Sequence, residues 1–318
     1  MKTIIGVDVG GTWLRAARFD EELNLLERAE QETRTELGGD IVFDRLVETI
    51  RQVLPESPND LLGIGLVLPG PIDPYAGILI APPNLPWKEM PIASMVQQAV
   101  GGPVFIGNDA DMAGLAEHQL GAGRGTRYMI YVTVSTGVGS GIIIDGRPYV
   151  GCGQAGEAGH MVVNPNGPLC GCGKRGHLEA YSSGTGIARI ARERLAAGEE
   201  SSVRDRVGGN LPEVTSRIVG EEAMKGDPMA LDIITQAGHY LGVAVASLMV
   251  LFNPERFIFG GGVSQLGDLL FKPLHKAVQE YVIHPIYWQK TQIVLAQLRE
   301  DVGLYGGAAL VRVMRREE

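Results

Sequence analysis

Residues 3–20 read TIIGVDVGGTWLRAARFD. Apolar, largely β-branched residues flank the tight Gly10-Gly11-Thr12 turn on both sides, the pattern of a hairpin of buried strands. The pattern returns at residues 129–146, MIYVTVSTGVGSGIIIDG, as a strand, the glycine turn TGVGSG and a second strand. Two such units about 125 residues apart predict an internal duplication, and a separation of one domain's length predicts two related domains facing each other.

Outward from the two hairpins, helical and extended patterns alternate, which makes the chain α/β. Asp40 is placed to cap a helix through about Leu54, with Phe43, Leu46, Val47, Ile50, Val53 and Leu54 on one stripe before Pro55 stops it. LLGIGLVLPG (61–70) reads as a short buried strand, Pro91 to Val100 as a helix closed by Gly101 and Gly102, and PVFIGNDA as a strand running into a helix from Ala110 to about Leu120. Further helices are expected near 184–197 and 229–252, a strand at RFIFGG, a helix at LGDLLFKPLHKAVQEYV, a strand near QIVLAQ and a last helix from Gly303 to Arg315. Residues 198–226 are the most polar stretch and the expected mobile surface segment.

Composition narrows the function. The chain has 318 residues, room for two domains with substantial cores, and 44 glycines, about twice the usual share. A formal charge of −9 argues against nucleic acid or an anionic membrane as partner. Backbone amides still allow a small anionic cosubstrate. The apolar run Leu241 to Phe252 covers twelve residues, too few to span a bilayer, and reads as a buried helix. Met1 to Ile5 leads straight into a strand, so no targeting segment is expected. Three cysteines without a signal peptide point to a reducing cytoplasm, where metal binding is the expected use of paired thiols.

Four regions carry chemistry. Asp8 ends a strand beside Gly10, Gly11 and Thr12, a turn whose consecutive N–H groups suit phosphate, and Thr136, Gly137, Val138 and Gly139 form the matching turn. Gly260, Gly261 and Gly262 end a strand before a helix, as a nucleotide-cradling loop would, and no GK[ST] follows any of these glycines. Asn108 and Asp109 sit at a strand end and a helix start, where α/β proteins place their chemistry. A carboxylate at a helix N-terminus stays ionised, so Asp109 is the candidate general base for phosphoryl transfer; the competing reading makes it a helix cap, a role open also to Asp111. Asn84, in the Pro-rich loop APPNLPW, reads from its neighbours alone as a turn residue. Finally, EAGHMVVNPNGPLCGCGKRGHLE (157–179) places His160, Cys170, Cys172 and His177 within eighteen residues, a tetrahedral zinc set bracketed by Glu157 and Glu179. A Cys170–Cys172 disulfide would close a strained, tiny loop and leave Cys152 odd.

Together DVGGTWLRAA, IGND, STGVGSG, EAGH and CGCG followed by LE resemble the ROK family of sugar kinases, in order and spacing, over nearly the whole chain. The resemblance implies an actin-like ATPase (ribonuclease-H-like) duplicated two-domain fold with a central cleft. It divides the chain into a small domain at 1–120, with the C-terminal helix 303–318 packed back on it, and a large domain at 121–302 carrying the zinc loop 160–177. It implies transfer of the γ-phosphoryl group of ATP to a hexose hydroxyl, usually at C6. D-glucose is the expected hexose, because glucokinases are the commonest members retaining Glu157, His160 and Glu179; N-acetylmannosamine, N-acetylglucosamine, fructose, mannose or allose are the alternatives. Asp109 is then the base, and Asn84, Asn108, Asp109, Glu157, His160 and Glu179 bind sugar hydroxyls. Asp8, Gly10, Gly11, Thr12, Thr136 and Gly137 lie near the phosphates, Gly261 and Gly262 near the adenosine. Magnesium is expected, with Asp8 a candidate ligand through water, and a homodimer or homotetramer. Family zinc loops commonly use three cysteines and the ExGH histidine; here His177 stands for the third cysteine, with His160 ligating through one nitrogen while the other faces the sugar. Family repressors carry a winged helix-turn-helix ahead of the first hairpin, which here starts at residue 3, and a non-catalytic sugar sensor would lack Asp109.

Overall fold

The computed structural model describes residues 1–298 and 301–315. In chain order it opens with β1 (Thr3–Val9), β2 (Trp13–Phe19), β3 (Leu25–Glu32), α1 (Gly39–Arg51), β4 (Leu61–Leu68), β5 (Ile72–Asp73), β6 (Ile78–Leu79), α2 (Ile92–Val100), β7 (Val104–Asn108) and α3 (Asp109–Leu120). There follow β8 (Met129–Val134), β9 (Val138–Ile144), β10 (Arg147–Pro148), α4 (Glu179–Ser182), α5 (Gly184–Ala196), α6 (Ser202–Arg206), α7 (Ser216–Met224) and α8 (Pro228–Phe252). The chain closes with β11 (Arg256–Gly260), α9 (Asp268–Tyr281), α10 (Pro285–Lys290), β12 (Gln292–Leu295) and α11 (Val302–Arg315).

The duplication is visible in strand order. One five-stranded sheet runs β3-β2-β1-β4-β7 and the other β10-β9-β8-β11-β12. In the first, β1 pairs antiparallel with β2 and parallel with β4, which pairs parallel with β7. In the second, β11 lies parallel between β8 and β12, and β9 pairs antiparallel with β10. By compactness the described chain forms one unit of Met1–Arg127, Gly141–Gly156, 296–298 and 301–315, and a second of Tyr128–Ser140 and Glu157–Leu295.

In the first unit β1 is apolar along almost its whole length because both faces of its sheet are covered. Ile5, Val7, Leu66 and Ile106 pack with Val42, Leu46 and Ile50 of α1 and Ile92 and Val96 of α2. On the other face α11 crosses β1 and β4. Only glycine permits that approach: a Cβ on Gly6 would lie 2.0 Å from the Leu304 carbonyl oxygen, and one on Gly65 2.0 Å from that of Gly307. Residues 316–318 of the expected C-terminal helix lie outside the described residues.

In the second unit α8 is the core helix, packed by α4, α5, α7 and α9. Asp227 caps it by accepting the Ala230 N–H at 2.8 Å, with Pro228 in its first turn. The apolar run Leu241–Phe252 is thus the C-terminal half of a 25-residue helix, long enough and apolar enough to cross a membrane, with mean hydropathy 1.5 and 61 % burial in its most apolar window. That burial within the unit marks it as a core helix.

Four local expectations are corrected. Gly38, not Asp40, precedes α1, which ends at Arg51; Asp40 sits inside the first turn and supplies negative charge, not a cap. β9 begins at Val138, so the second glycine turn is confined to 135–137 and its later glycines lie within a strand. Residues 198–226, expected as a mobile surface segment, contain α6 and α7 and bury Val203, Val214 and Val219. After Gly260 the chain enters a 3-10 turn, Gly262–Leu266, before α9 begins.

Candidate active site

In the first unit the reactive groups gather where β1 and β7 end. Asn108 closes β7 and caps α3, its side-chain oxygen accepting the Ala110 N–H at 3.0 Å. Asp109 Oδ1 accepts the same N–H at 2.7 Å, which fixes its carboxylate at the helix mouth. Asp111 is 5 % exposed and is not the cap. The Asp109 side chain reaches solvent, yet the protein mass around it displaces most bulk water, and this burial pushes its pKa above the usual carboxylate range against the pull of the helix amides. Asp8 behaves alike: burial raises its pKa, Arg15 at 3.6 Å opposes the rise, and Asp109 and Asp301 add to it.

The first glycine turn is pinned by Gly10 N–H to the Trp13 carbonyl at 2.9 Å and by Thr33 Oγ1 to the Gly10 carbonyl at 2.6 Å. Asn84, 73 residues away in sequence, touches it: a Cβ on Gly11 would lie 2.9 Å from the Asn84 Cβ. Gly11, Thr12, Thr35 and Asn84 line one depression of about 650 Å³. The Asn84 loop holds its shape because Leu85 and Trp87 are buried and the Trp87 indole N–H donates to the Gly39 carbonyl at 3.0 Å.

In the second unit, 157–179 folds as an irregular loop whose arms meet at the Val162–His177 and Leu169–Arg175 bridges. His160, Cys170, Cys172 and His177 each turn one ligand atom inward, all four within 4.8 Å of one another. The two Nδ1 atoms are 3.3 Å apart, Cys172 Sγ is 3.2 Å from His177 Nδ1, and Cys170 Sγ is 3.9 Å from His160 Nδ1. His160 Nε2 points the other way, 4.0 Å from the exposed Glu157 carboxylate. Glu179 Oε1 lies 3.6 Å from Cys170 Sγ, while Oε2 accepts the Val138 N–H at 3.0 Å.

The second glycine turn lines a cavity of about 670 Å³. Ser135 and Thr136 reach it from the turn, Gly184 and Thr185 from α5, Thr215 and Ser216 from the start of α7, and Gly262 from the third glycine cluster. Gly261, at φ 86°, brings its backbone against the end of β8, where a Cβ would lie 2.3 Å from the Val134 carbonyl oxygen. The volume suits a nucleoside-sized ligand.

Comparison with known proteins identifies this arrangement. The ROK family profile matches residues 4–314. The chain belongs to the ROK family. It is 36 % identical over 311 residues to a glucokinase of Thermotoga maritima, covering 97 % of each chain. Among solved structures, a ROK hexokinase of Thermus thermophilus matches with TM-score 0.84 at 34 % identity, over 99 % of this chain and 100 % of the other. A ROK family glucokinase of Streptomyces griseus in complex with glucose and AMPPNP matches with TM-score 0.78 at 33 % identity, over 98 % and 99 %. The family is mixed: a xylose repressor of Caldicellulosiruptor bescii is 30 % identical over 97 % of this chain and 78 % of its own. These matches bear out the actin-like, α/β sugar-kinase fold.

The donor set of the ROK loop fits zinc. Bonds of about 2.0–2.1 Å to nitrogen and about 2.3 Å to sulfur set tetrahedral edges of roughly 3.3 Å for N···N and roughly 3.6 Å for N···S; the N···N separation of 3.3 Å and the N···S separations of 3.2 and 3.9 Å lie close to these. Burial pushes the Cys170 thiol up to about 11, so a cation must displace its proton to bind the sulfur.

Sequence reading missed Thr185, Arg192, Thr215, Ser216 and Gln265 in the large cavity. The run SSGTG at 182–186 was the one available signal, a Ser/Thr-Gly cluster opening a helix. It also missed a second clamp on the metal loop: Asn164 Nδ2 donates to the hydroxyls of Tyr181 at 2.9 Å and Tyr240 at 3.3 Å, and the two rings stack at 3.9 Å.

Proposed function

We propose that this chain is an ATP-dependent glucokinase that makes glucose 6-phosphate. The observation that carries the reading is Asp109, a solvent-accessible carboxylate fixed at the N-terminus of α3, on a chain that matches glucokinases from end to end. As the glucose 6-hydroxyl attacks the γ-phosphorus, its proton passes to the Asp109 carboxylate, the new O–P bond forms and the bond to ADP breaks. Asn84, Asn108, Glu157, His160 and Glu179 hold the sugar hydroxyls. The amides around Gly10, Gly11 and Thr12 and around Thr136 and Gly137 hold phosphate, and the cavity reaching Gly262, beside Gly261, takes the adenosine. Asp8 would hold magnesium, which when bound would offset phosphate charge. His160 Nδ1, Cys170, Cys172 and His177 would hold zinc, which when bound would brace the loop and fix the His160 tautomer, leaving Nε2 to face the sugar. Free cysteines and thiol ligation fit a reducing, cytoplasmic setting where the product enters glycolysis.

Steady-state phosphorylation of a hexose panel tests the reading. Glucose should give the highest kcat/KM. Activity confined to N-acetylmannosamine, N-acetylglucosamine, fructose, mannose or allose would transfer the enzyme to that substrate; sugar binding with no turnover on any hexose would place the chain among sugar-sensing ROK proteins.

A further inference from the structure

Glu179, assigned above to the sugar hydroxyls, is engaged in the structure by the backbone beside the second glycine turn. Its Oε2 accepts the Val138 N–H at 3.0 Å, and the carboxylate stands so close over the second glycine turn that a Cβ on Gly137 would lie 2.6 Å from Oε2. The acceptors of that turn are already engaged. Gly184 N–H donates to the Ser135 carbonyl at 2.7 Å, and Thr185 donates to the Thr136 carbonyl through N–H at 3.2 Å and Oγ1 at 2.8 Å. The Ser135 N–H is used within the turn, donating to the Gly137 carbonyl at 2.9 Å, so an incoming ligand meets the Thr136 and Gly137 N–H groups and the Val138 N–H that follows them, and Glu179 already takes the last.

We propose that Glu179 is an electrostatic gate: its carboxylate occupies the anion position at the end of the 135–137 turn, on the Val138 N–H, until sugar hydroxyls draw it away, so that sugar binding vacates the turn for the terminal phosphate of the nucleotide. Two physical facts drive this. A carboxylate and a phosphate are both anions that compete for the same N–H, and at contact distance they repel strongly in a partly desolvated site. Hydroxyl donors of a sugar offer the carboxylate replacement hydrogen bonds, so leaving Val138 does not strand the charge. The consequence is positive coupling between sugar and nucleotide built into one side chain. By linkage, nucleotide must tighten sugar binding by the same factor by which sugar tightens nucleotide.

The inference rests on the kinase reading for the identity of both ligands, and its decisive measurement needs no turnover. Binding of a non-hydrolysable ATP analogue with magnesium is measured by calorimetry, with and without saturating glucose, in wild-type protein and Glu179→Gln, folding being checked by circular dichroism. The wild-type protein should bind the analogue at least fivefold more tightly with glucose present. Glu179→Gln, uncharged, should bind it at least fivefold more tightly than wild type in the absence of sugar, and its coupling should fall below twofold. Unchanged sugar-free affinity in the variant, or coupling that survives, overturns the gate. Should the variant fail to fold, exchange of the Val138 amide in wild-type protein decides: glucose alone must accelerate it, and an unaltered rate overturns the proposal. A wild-type protein that binds the analogue but phosphorylates no hexose removes the glucokinase reading and leaves the sugar-free comparison valid; one that binds no nucleotide removes both.

Discussion

Asp109 is a carboxylate held where its charge is costly. Burial outweighs the Ala110 N–H in setting its pKa, so its ionised form is disfavoured relative to an ordinary aspartate, as at many sites where a base must work. Asp109→Asn should lower kcat by roughly 10²- to 10⁴-fold while glucose binding, measured by calorimetry, persists; turnover near wild type would remove Asp109 from the mechanism. The sign of the pH effect follows. The base works ionised, so kcat/KM should fall on acidification at a pH above the ordinary carboxylate range. For stability, a group whose folded pKa is raised contributes fully below its unfolded pKa and loses that contribution as pH rises through the folded value. Asp109→Asn should therefore raise Tm at neutral pH, with the gain vanishing near pH 3, a comparison that thermal melts at both pH values make directly. Asp109 was legible because IGND visibly ends a strand. The cap was not, since Asn108, Asp109 and Asp111 are all good capping residues and only backbone geometry chooses Asn108. Nor was the Glu179–Val138 bond legible, joining residues 41 apart.

At the scale of elements, α11 is where sequence and packing meet most tightly. Its seat on the first sheet depends on glycine facing glycine, Gly307 against Gly65, with no space for a methyl group. Gly65→Ala should destabilise the first unit by about 3 kcal/mol or more, because backbone rather than a flexible side chain would have to yield. Urea unfolding followed by tryptophan fluorescence reads this through the buried Trp87; an unchanged midpoint would show that the helix is not seated as described. Periodicity predicted most helices and strands to within a few residues. It failed at 198–226 because short helices that bury one or two valines each leave too weak an apolar stripe to outweigh the surrounding polar residues. It failed at the start of α1 because glycine precedes the helix and gives no capping signal.

For the molecule as a whole, the proposed zinc site and the proposed sugar ligands share the 157–179 loop. Chelator-free protein should contain about one zinc per chain by elemental analysis, and dialysis against a chelator should lower Tm and raise the KM for glucose more than it lowers kcat. Protein that lacks zinc yet binds glucose normally would reduce His177 and both cysteines to packing residues. The Asn164–Tyr181–Tyr240 clamp is independent of metal, so the loop base should stay protected from proteolysis after chelation while the 170–173 tip becomes cleavable. Light scattering across a concentration series tests the expected dimer or tetramer, and a monomer at every concentration excludes both.

What the sequence determined alone is whatever repeats or clusters along the chain. The two strand–glycine–strand motifs specify a duplicated α/β fold because local steric preference and burial pattern act within a few residues. Four zinc-type ligands within eighteen residues specify a cluster of donor atoms because so short a loop can bring them together. Tertiary structure decided what depends on distant residues: Asn84 against Gly11, Thr136 and Gly262 around one cavity, and Glu179 on the amide of the second glycine turn. Those contacts arise from how sheets and helices stack, and stacking is set by the summed packing of many side chains rather than by any spacing readable along one stretch.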